Sequence, residues 1–175
     1  MARNVEIKAK VRNREEILKL AKGLTGTEPT LLIQHDIFYN SPQGRLKMRS
    51  VEEQGEERTE LIWYDRPDQV GPKLCNFTKF EVPAGIRDPL KEVLRSSMGV
   101  KGEVKKVRNL FLLDRTRIHI DNVEGLGDFM ELEVCLRGSE QATDGEHIAD
   151  EIRQKLGVLS EDLLEGAYMD MLNEA

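Results

Sequence analysis

Asn4-Val5-Glu6-Ile7-Lys8-Ala9-Lys10-Val11 carries apolar side chains at its odd positions and, at its even positions, polar or charged ones. Alternation with a period of two gives a β-strand one greasy and one hydrophilic face. The pattern returns along the chain. Strands are predicted over 34–40, 45–49, 60–66, 76–82, 104–113, 116–122 and 129–137, with turns at Ser41-Pro42-Gln43-Gly44 and Gly125-Leu126-Gly127. A loop is predicted over 52–58 around Gly55, and Pro67 ends the strand before it. Four helices are predicted as well. One is capped by Asn13 with Glu16 in the capping-box position, and it carries Ile17, Leu20, Ala21 and Leu24 on one face. A second starts at Asp88-Pro89 and buries Leu90, Val93, Leu94 and Met98. Thr143 with Glu146 caps the third, and Ser160 caps the fourth. Their apolar stripes are Ile148, Ile152, Leu156 and then Leu164, Ala167, Tyr168, Met171. Connections are short and helices too few to cross over between every pair of strands, so the sheet is antiparallel and the class α+β.

The 175 residues suit one domain over 1–175. With 32 acidic against 26 basic side chains the formal charge is −6, which argues against a general binder of nucleic-acid backbone. No apolar run reaches the roughly 18 residues of a membrane span, and the first residues lack an apolar signal core. Cys75 and Cys135 have no metal-ligand spacing and read as reduced thiols of a cytoplasmic protein, either monomer or homodimer.

The hydrophilic faces carry the chemistry. Glu6, Lys8 and Lys10 share one side of the first strand; Arg45, Lys47 and Arg49 share one side of the third. Glu60, Tyr64 and Arg66 follow, then Lys106 and Arg108, then Arg117, His119 and Asp121, and finally Glu131 and Glu133. A solvated sheet face explains any single strand. It does not explain like charges sorted by strand, which repel one another. The four apolar helix stripes also need the greasy face of the sheet as their partner. The ionic face then becomes the inside of a curved or closed sheet. Charges gathered away from bulk water need partners. Arg and Lys ask for phosphate oxygens, and paired carboxylates beside phosphate ask for a hard divalent ion, Mg²⁺ or Mn²⁺.

These residues resemble the CYTH superfamily, which joins class IV adenylyl cyclases of the CyaB type and thiamine triphosphatases, the triphosphate tunnel metalloenzymes. Val5-Glu6-Ile7-Lys8-Ala9-Lys10 is similar to its N-terminal Glu-x-Glu-x-Lys strand. Gln34 to Tyr39 followed by Arg45-Leu46-Lys47-Met48-Arg49 resembles its next two strands, and Lys106-Val107-Arg108 its Lys-x-Arg strand. Arg117 to Asp121, then Gly125 to Glu133, resembles its most diagnostic segment, and Ala167 to Leu172 its C-terminal helix. The resemblance implies an eight-stranded antiparallel closed β-barrel, a triphosphate tunnel with about four helices packed outside. It implies Glu6, Glu131 and Glu133 as metal ligands and catalytic residues, with Asp121 as a further catalytic candidate. It implies Lys8, Arg45, Lys47, Arg49, Arg66, Lys106 and Arg108 as triphosphate-binding residues. Asn4 stands where the family has Glu and offers an oxygen without the charge, which weakens a second metal site.

The expected function is a triphosphatase that uses Mg²⁺ or Mn²⁺ to release the terminal phosphate of an inorganic or organic triphosphate. The alternatives are a class IV cyclase making cyclic AMP and pyrophosphate from ATP, and a non-catalytic polyphosphate-binding module. His119 reads as a structural histidine, with phosphate donation or proton shuttling as its other role. Trp63 reads as core, and Tyr39 and Tyr64 as packing residues able to stack on a leaving group. The last helix reads equally as a lid over one mouth or as a packing element.

Overall fold

The computed structural model describes residues 1–174. Eight strands make up the sheet: β1 (Ala2–Lys10), β2 (Thr30–Tyr39), β3 (Arg45–Glu53), β4 (Glu56–Asp65), β5 (Lys73–Glu81), β6 (Val100–Leu113), β7 (Thr116–Val123) and β8 (Gly127–Cys135). Every pairing is antiparallel, and the order β1-β5-β4-β3-β2-β6-β7-β8 closes into a barrel. Two meanders, β2–β5 and β6–β8, meet where β2 pairs with β6. The first strand seals the remaining gap between β5 and β8. Closure leaves no free sheet edge.

Four helices lie outside: α1 (Arg14–Thr25), α2 (Ala84–Met98), α3 (Ala142–Lys155) and α4 (Tyr168–Glu174). Asn13 caps α1 by accepting from the Glu16 backbone N–H. The alternation of β1 sends Val5, Ile7 and Ala9 outward beneath α1 and α3, where they join Ile118, Ile120, Leu132 and Val134 in one continuous core. At Gly145 helix α3 comes so close to β1 that a Cβ would lie 2.6 Å from the Val5 side chain.

Several expectations need correction. The 52–58 loop does not exist, because Gln54 and Gly55 both take positive φ (53° and 84°). That two-residue turn matches strand twist and carries the ladder up to it from both sides. Helix α2 begins at Ala84 after Pro83 and runs through Asp88 and Pro89, and it buries none of its residues; Val93 is 61% exposed. It rests on the side of the barrel, touching β2 and β4 only lightly. Gln141, not Thr143, caps α3, through a reciprocal pair with Asp144. Ser160 opens only a short 3-10 turn, and the last helix starts at Tyr168. Trp63 is half-exposed, donating its indole N–H to the Gln43 carbonyl.

Candidate functional site

The barrel encloses a lumen of about 350 Å³. Its wall bears ten basic and five acidic side chains, although the whole chain carries a formal charge of −6. The inward positions of β1, β8 and β7 stack into two rungs. Glu6, Glu133 and Arg117 face one another across the three strands, and Lys8, Glu131 and His119 do so one step along. Lys8 Nζ stands 3.6 Å from Glu131 and Arg117 Nε 3.6 Å from Glu133. His119 is wedged between the two glutamates, its Nδ1 4.0 Å from Glu131 and its Nε2 3.9 Å from Glu133. Glu6 leans toward Arg66, 3.5 Å away.

Across the lumen two arginines are held rigidly. Arg49 gives Nε and Nη2 to its cross-strand partner Asp36, both at 2.7 Å. Arg108 does the same with its own partner Asp121, at 2.8 and 2.7 Å. A side-on pair of this kind fixes the guanidinium plane and leaves Nη1 of each arginine uncommitted. Lys47 and Lys106 flank Asp36 at 3.4 and 3.8 Å.

The segment before α4 covers one mouth. The Gly166 carbonyl accepts from Lys8 Nζ (3.3 Å) and Arg66 Nη2 (3.0 Å), and the Leu164 carbonyl from Lys73 Nζ (3.4 Å). The Tyr168 ring lies over the ammonium groups of Lys8 and Lys106 at 3.9 and 5.1 Å. Backbone oxygens and a ring face thus rest on cations that line the lumen.

The sequence profile of the CYTH domain family matches residues 2–168. The chain belongs to the CYTH family. A Methanocaldococcus jannaschii protein named "Putative adenylate cyclase" is 22% identical over 174 residues, covering 95% of this chain and 97% of its own. Two solved structures of Pyrococcus horikoshii proteins share the fold. One has a TM-score of 0.81 at 20% identity, covering 98% of each chain. The other has a TM-score of 0.76 at 24% identity, covering 95% of this chain and 98% of that one.

Within this CYTH barrel the expected site residues are distributed unevenly. Glu6, Lys8, Lys47, Arg49, Arg66, Lys106, Arg108, Glu131 and Glu133 all line the lumen. Arg45 does not. It is the first residue of β3, so its side chain overhangs the rim, where it meets Asp68 at 2.8 Å and Asp170 at 3.3 Å. Asp121 is fully buried and committed to Arg108 and to the Tyr168 hydroxyl, which donates to it at 3.1 Å. It orients an arginine and has no surface on the lumen. Sequence reasoning did not name Asp36 and Lys73, which also line the lumen, as does His119. The inward face of β2 mixes Leu32 and Phe38 with Gln34 and Asp36, so alternation does not single out the carboxylate. Lys73 sits just past a Gly71-Pro72 pair, with no strand signal before it.

The donor set fits a divalent cation. One ligand atom each from His119, Glu131 and Glu133 lies within 4.8 Å of the others. Neither ring nitrogen of His119 has a hydrogen-bond partner, and neither does the buried side-chain oxygen of Asn4. Burial, then the charge of Glu133, raises the Glu6 carboxyl above its ordinary range. Burial works the same way on Glu131, but Lys8 and Arg108 overcome it and hold that carboxyl well below the usual range. Glu131 is therefore ionised, and Glu6 is the carboxylate that gains most from added positive charge.

Burial, reinforced by Arg108 and Arg49, lowers Lys106 to about 7, and burial with Arg49 lowers Lys47 to about 8. At pH 8 the empty lumen holds part of this lysine pair neutral. A bound polyanion would restore their charge, so binding is expected to take up protons and to weaken as pH rises from 7 toward 9. The check is calorimetric titration of tripolyphosphate at pH 8 in two buffers of different ionisation enthalpy. Heats that differ between buffers are expected, with a smaller difference in Lys106→Met. Identical uptake in that variant would rule Lys106 out as the proton acceptor.

Proposed function

We propose that this chain is a metal-dependent triphosphatase that works as one tunnel domain over residues 1–175. What carries the reading is the excess of basic side chains inside the lumen, ranged opposite a compact carboxylate cluster. Lys8, Lys47, Arg49, Arg66, Lys106 and Arg108 take the oxygens of a linear triphosphate. Asp36 and Asp121 hold the two central arginines in plane before substrate arrives, so little reorganisation remains for the transition state. Glu131 and Glu133, with Glu6 beside them, hold Mg²⁺ or Mn²⁺. When bound, that ion supplies charge neutralisation at the phosphoryl oxygens. Water attacks the terminal phosphorus in line and the bond to the bridging oxygen breaks. The proton that the water gives up passes to a carboxylate of this cluster. The C-terminal segment covers one mouth of the lumen through Leu164 and Gly166. Two unpaired cysteines, one buried and one exposed, suit a reducing compartment such as the cytoplasm, and no helix among the described residues is long and apolar enough to cross a membrane.

A class IV cyclase is the second reading. It is favoured by the name of the Methanocaldococcus relative, which this chain matches over nearly its full length. Against it stands a Hippeastrum neighbour of the same fold, a cyclase-like protein described as having a dominant triphosphatase activity. The test is a panel of tripolyphosphate, thiamine triphosphate and ATP with Mg²⁺ or Mn²⁺, followed by product analysis. Orthophosphate release is the expected result. Cyclic AMP with pyrophosphate would replace this reading with the cyclase, and tight triphosphate binding without product would leave a binding module.

A further inference from the structure

His119 stands outside the carboxylate chemistry of the proposed site. Its side chain is fully buried in β7, on the same rung as Glu131 and diagonal to Glu133. A buried histidine of structural purpose uses its ring nitrogens to donate or accept. Here neither nitrogen has a partner. The nearest acceptors are the two glutamates at 4.0 and 3.9 Å, too far for a hydrogen bond. An imidazole gives one nitrogen to a given cation, and one such atom lies within 4.8 Å of an oxygen of each glutamate, close enough for all three groups to turn toward one ion.

From this geometry we infer that His119 is a nitrogen ligand in the Glu131–Glu133 cluster and that it tunes the site toward Mn²⁺ over Mg²⁺. The inference rests on the proposal that this cluster is the metal site. Its physical basis is ligand type. Mg²⁺ is hard, demands oxygen donors and keeps its waters, whereas Mn²⁺ accepts imidazole more readily. An all-oxygen cluster treats the two ions alike; a buried imidazole aimed between the carboxylates separates them. Lys8 and Arg117, which pair with the same glutamates, supply no lone pair and cannot substitute for it.

The test is binding of the metal alone to the full chain, with no substrate present. MnCl2 and MgCl2 are titrated calorimetrically into the parent protein, His119→Asn and His119→Gln, with thermal unfolding as a check on the fold. Even the loss of a group that only orients a ligand costs about 10–100-fold in metal affinity, so at least that loss is expected for Mn²⁺. Mg²⁺ affinity is expected to stay within about twofold. Pulsed electron paramagnetic resonance of the Mn²⁺-loaded parent should show a directly coupled ¹⁴N that both variants lack. Bound Mn²⁺ without ¹⁴N coupling in the parent overturns the inference however the variants behave, and so does coupling that persists in the variants. Equal losses for the two metals overturn the selectivity. Turnover is not read here. Phosphate release with no nitrogen coupling would refute His119 and leave the triphosphatase standing; nitrogen coupling without phosphate release would do the reverse.

Discussion

Glutamine in place of Glu131 is expected to reduce metal-dependent phosphate release by about 10²–10³-fold, the scale for losing one electrostatic contributor to a transition state of this kind. The same is expected of Glu133→Gln. Both carboxylates are ionised in the fold. Burial resists this at Glu131, but Lys8 and Arg108 outweigh it; at Glu133 burial is outweighed by Arg108 and Arg117. The amide keeps the size and removes the charge that holds a hard cation. Turnover is measured at saturating tripolyphosphate with Mg²⁺ or Mn²⁺, and triphosphate binding without metal should survive because the basic wall is untouched. Thermal unfolding shows whether the now unpaired Lys8 disturbs the fold. Turnover close to the parent's in both variants would remove the two glutamates from the metal site.

Arg108→Ala is expected to cost about 3–5 kcal/mol of stability, because it strands a fully buried carboxylate in Asp121. Asp121→Ala should cost a similar amount by stranding Arg108. The paired change to Met and Leu should recover part of the loss, since no uncompensated charge then remains. Denaturant unfolding measures all three. The acid dependence has a definite sign. Burial opposes ionisation of Asp121, but Arg108 prevails and the folded pKa lies below its ordinary value. The pair's contribution is therefore present above the unfolded carboxylate pKa of about 3.9 and disappears as pH falls through the folded value. The gap between parent and variant narrows over that acid range. A single variant as stable as the parent at pH 7 would show that Asp121 is not a buried partner.

Strands β1, β8 and β2 show how far a sequence can be read. In β1 and β8 one face is continuously apolar and packed under helices, so alternation assigns every inward residue, Glu6, Lys8, Glu131 and Glu133 among them. In β2 the lumen itself contains Leu32 and Phe38, while Leu31 and Ile33 are exposed outside. The period is then uninformative, and Asp36 passes unnoticed. Parity places Arg45 and Asp121 on the correct side of their strands, but it carries no information on depth along the barrel. Arg45 hangs over the rim and Asp121 lies sealed behind Tyr168. Helix α2 shows the opposite failure. Its periodicity is good, yet little of the barrel beside it offers a surface to bury it.

The first strand pairs with β5 and β8, and its last residues also bridge to the C-terminal segment at Leu163. During synthesis, then, Glu6 and Lys8 emerge well over a hundred residues before Glu131 and Glu133, the glutamates that complete their rungs. Pairing of such remote segments is slow, since a large loop must close before any contact repays it. A nascent fragment that ends before β8 therefore has no closed lumen.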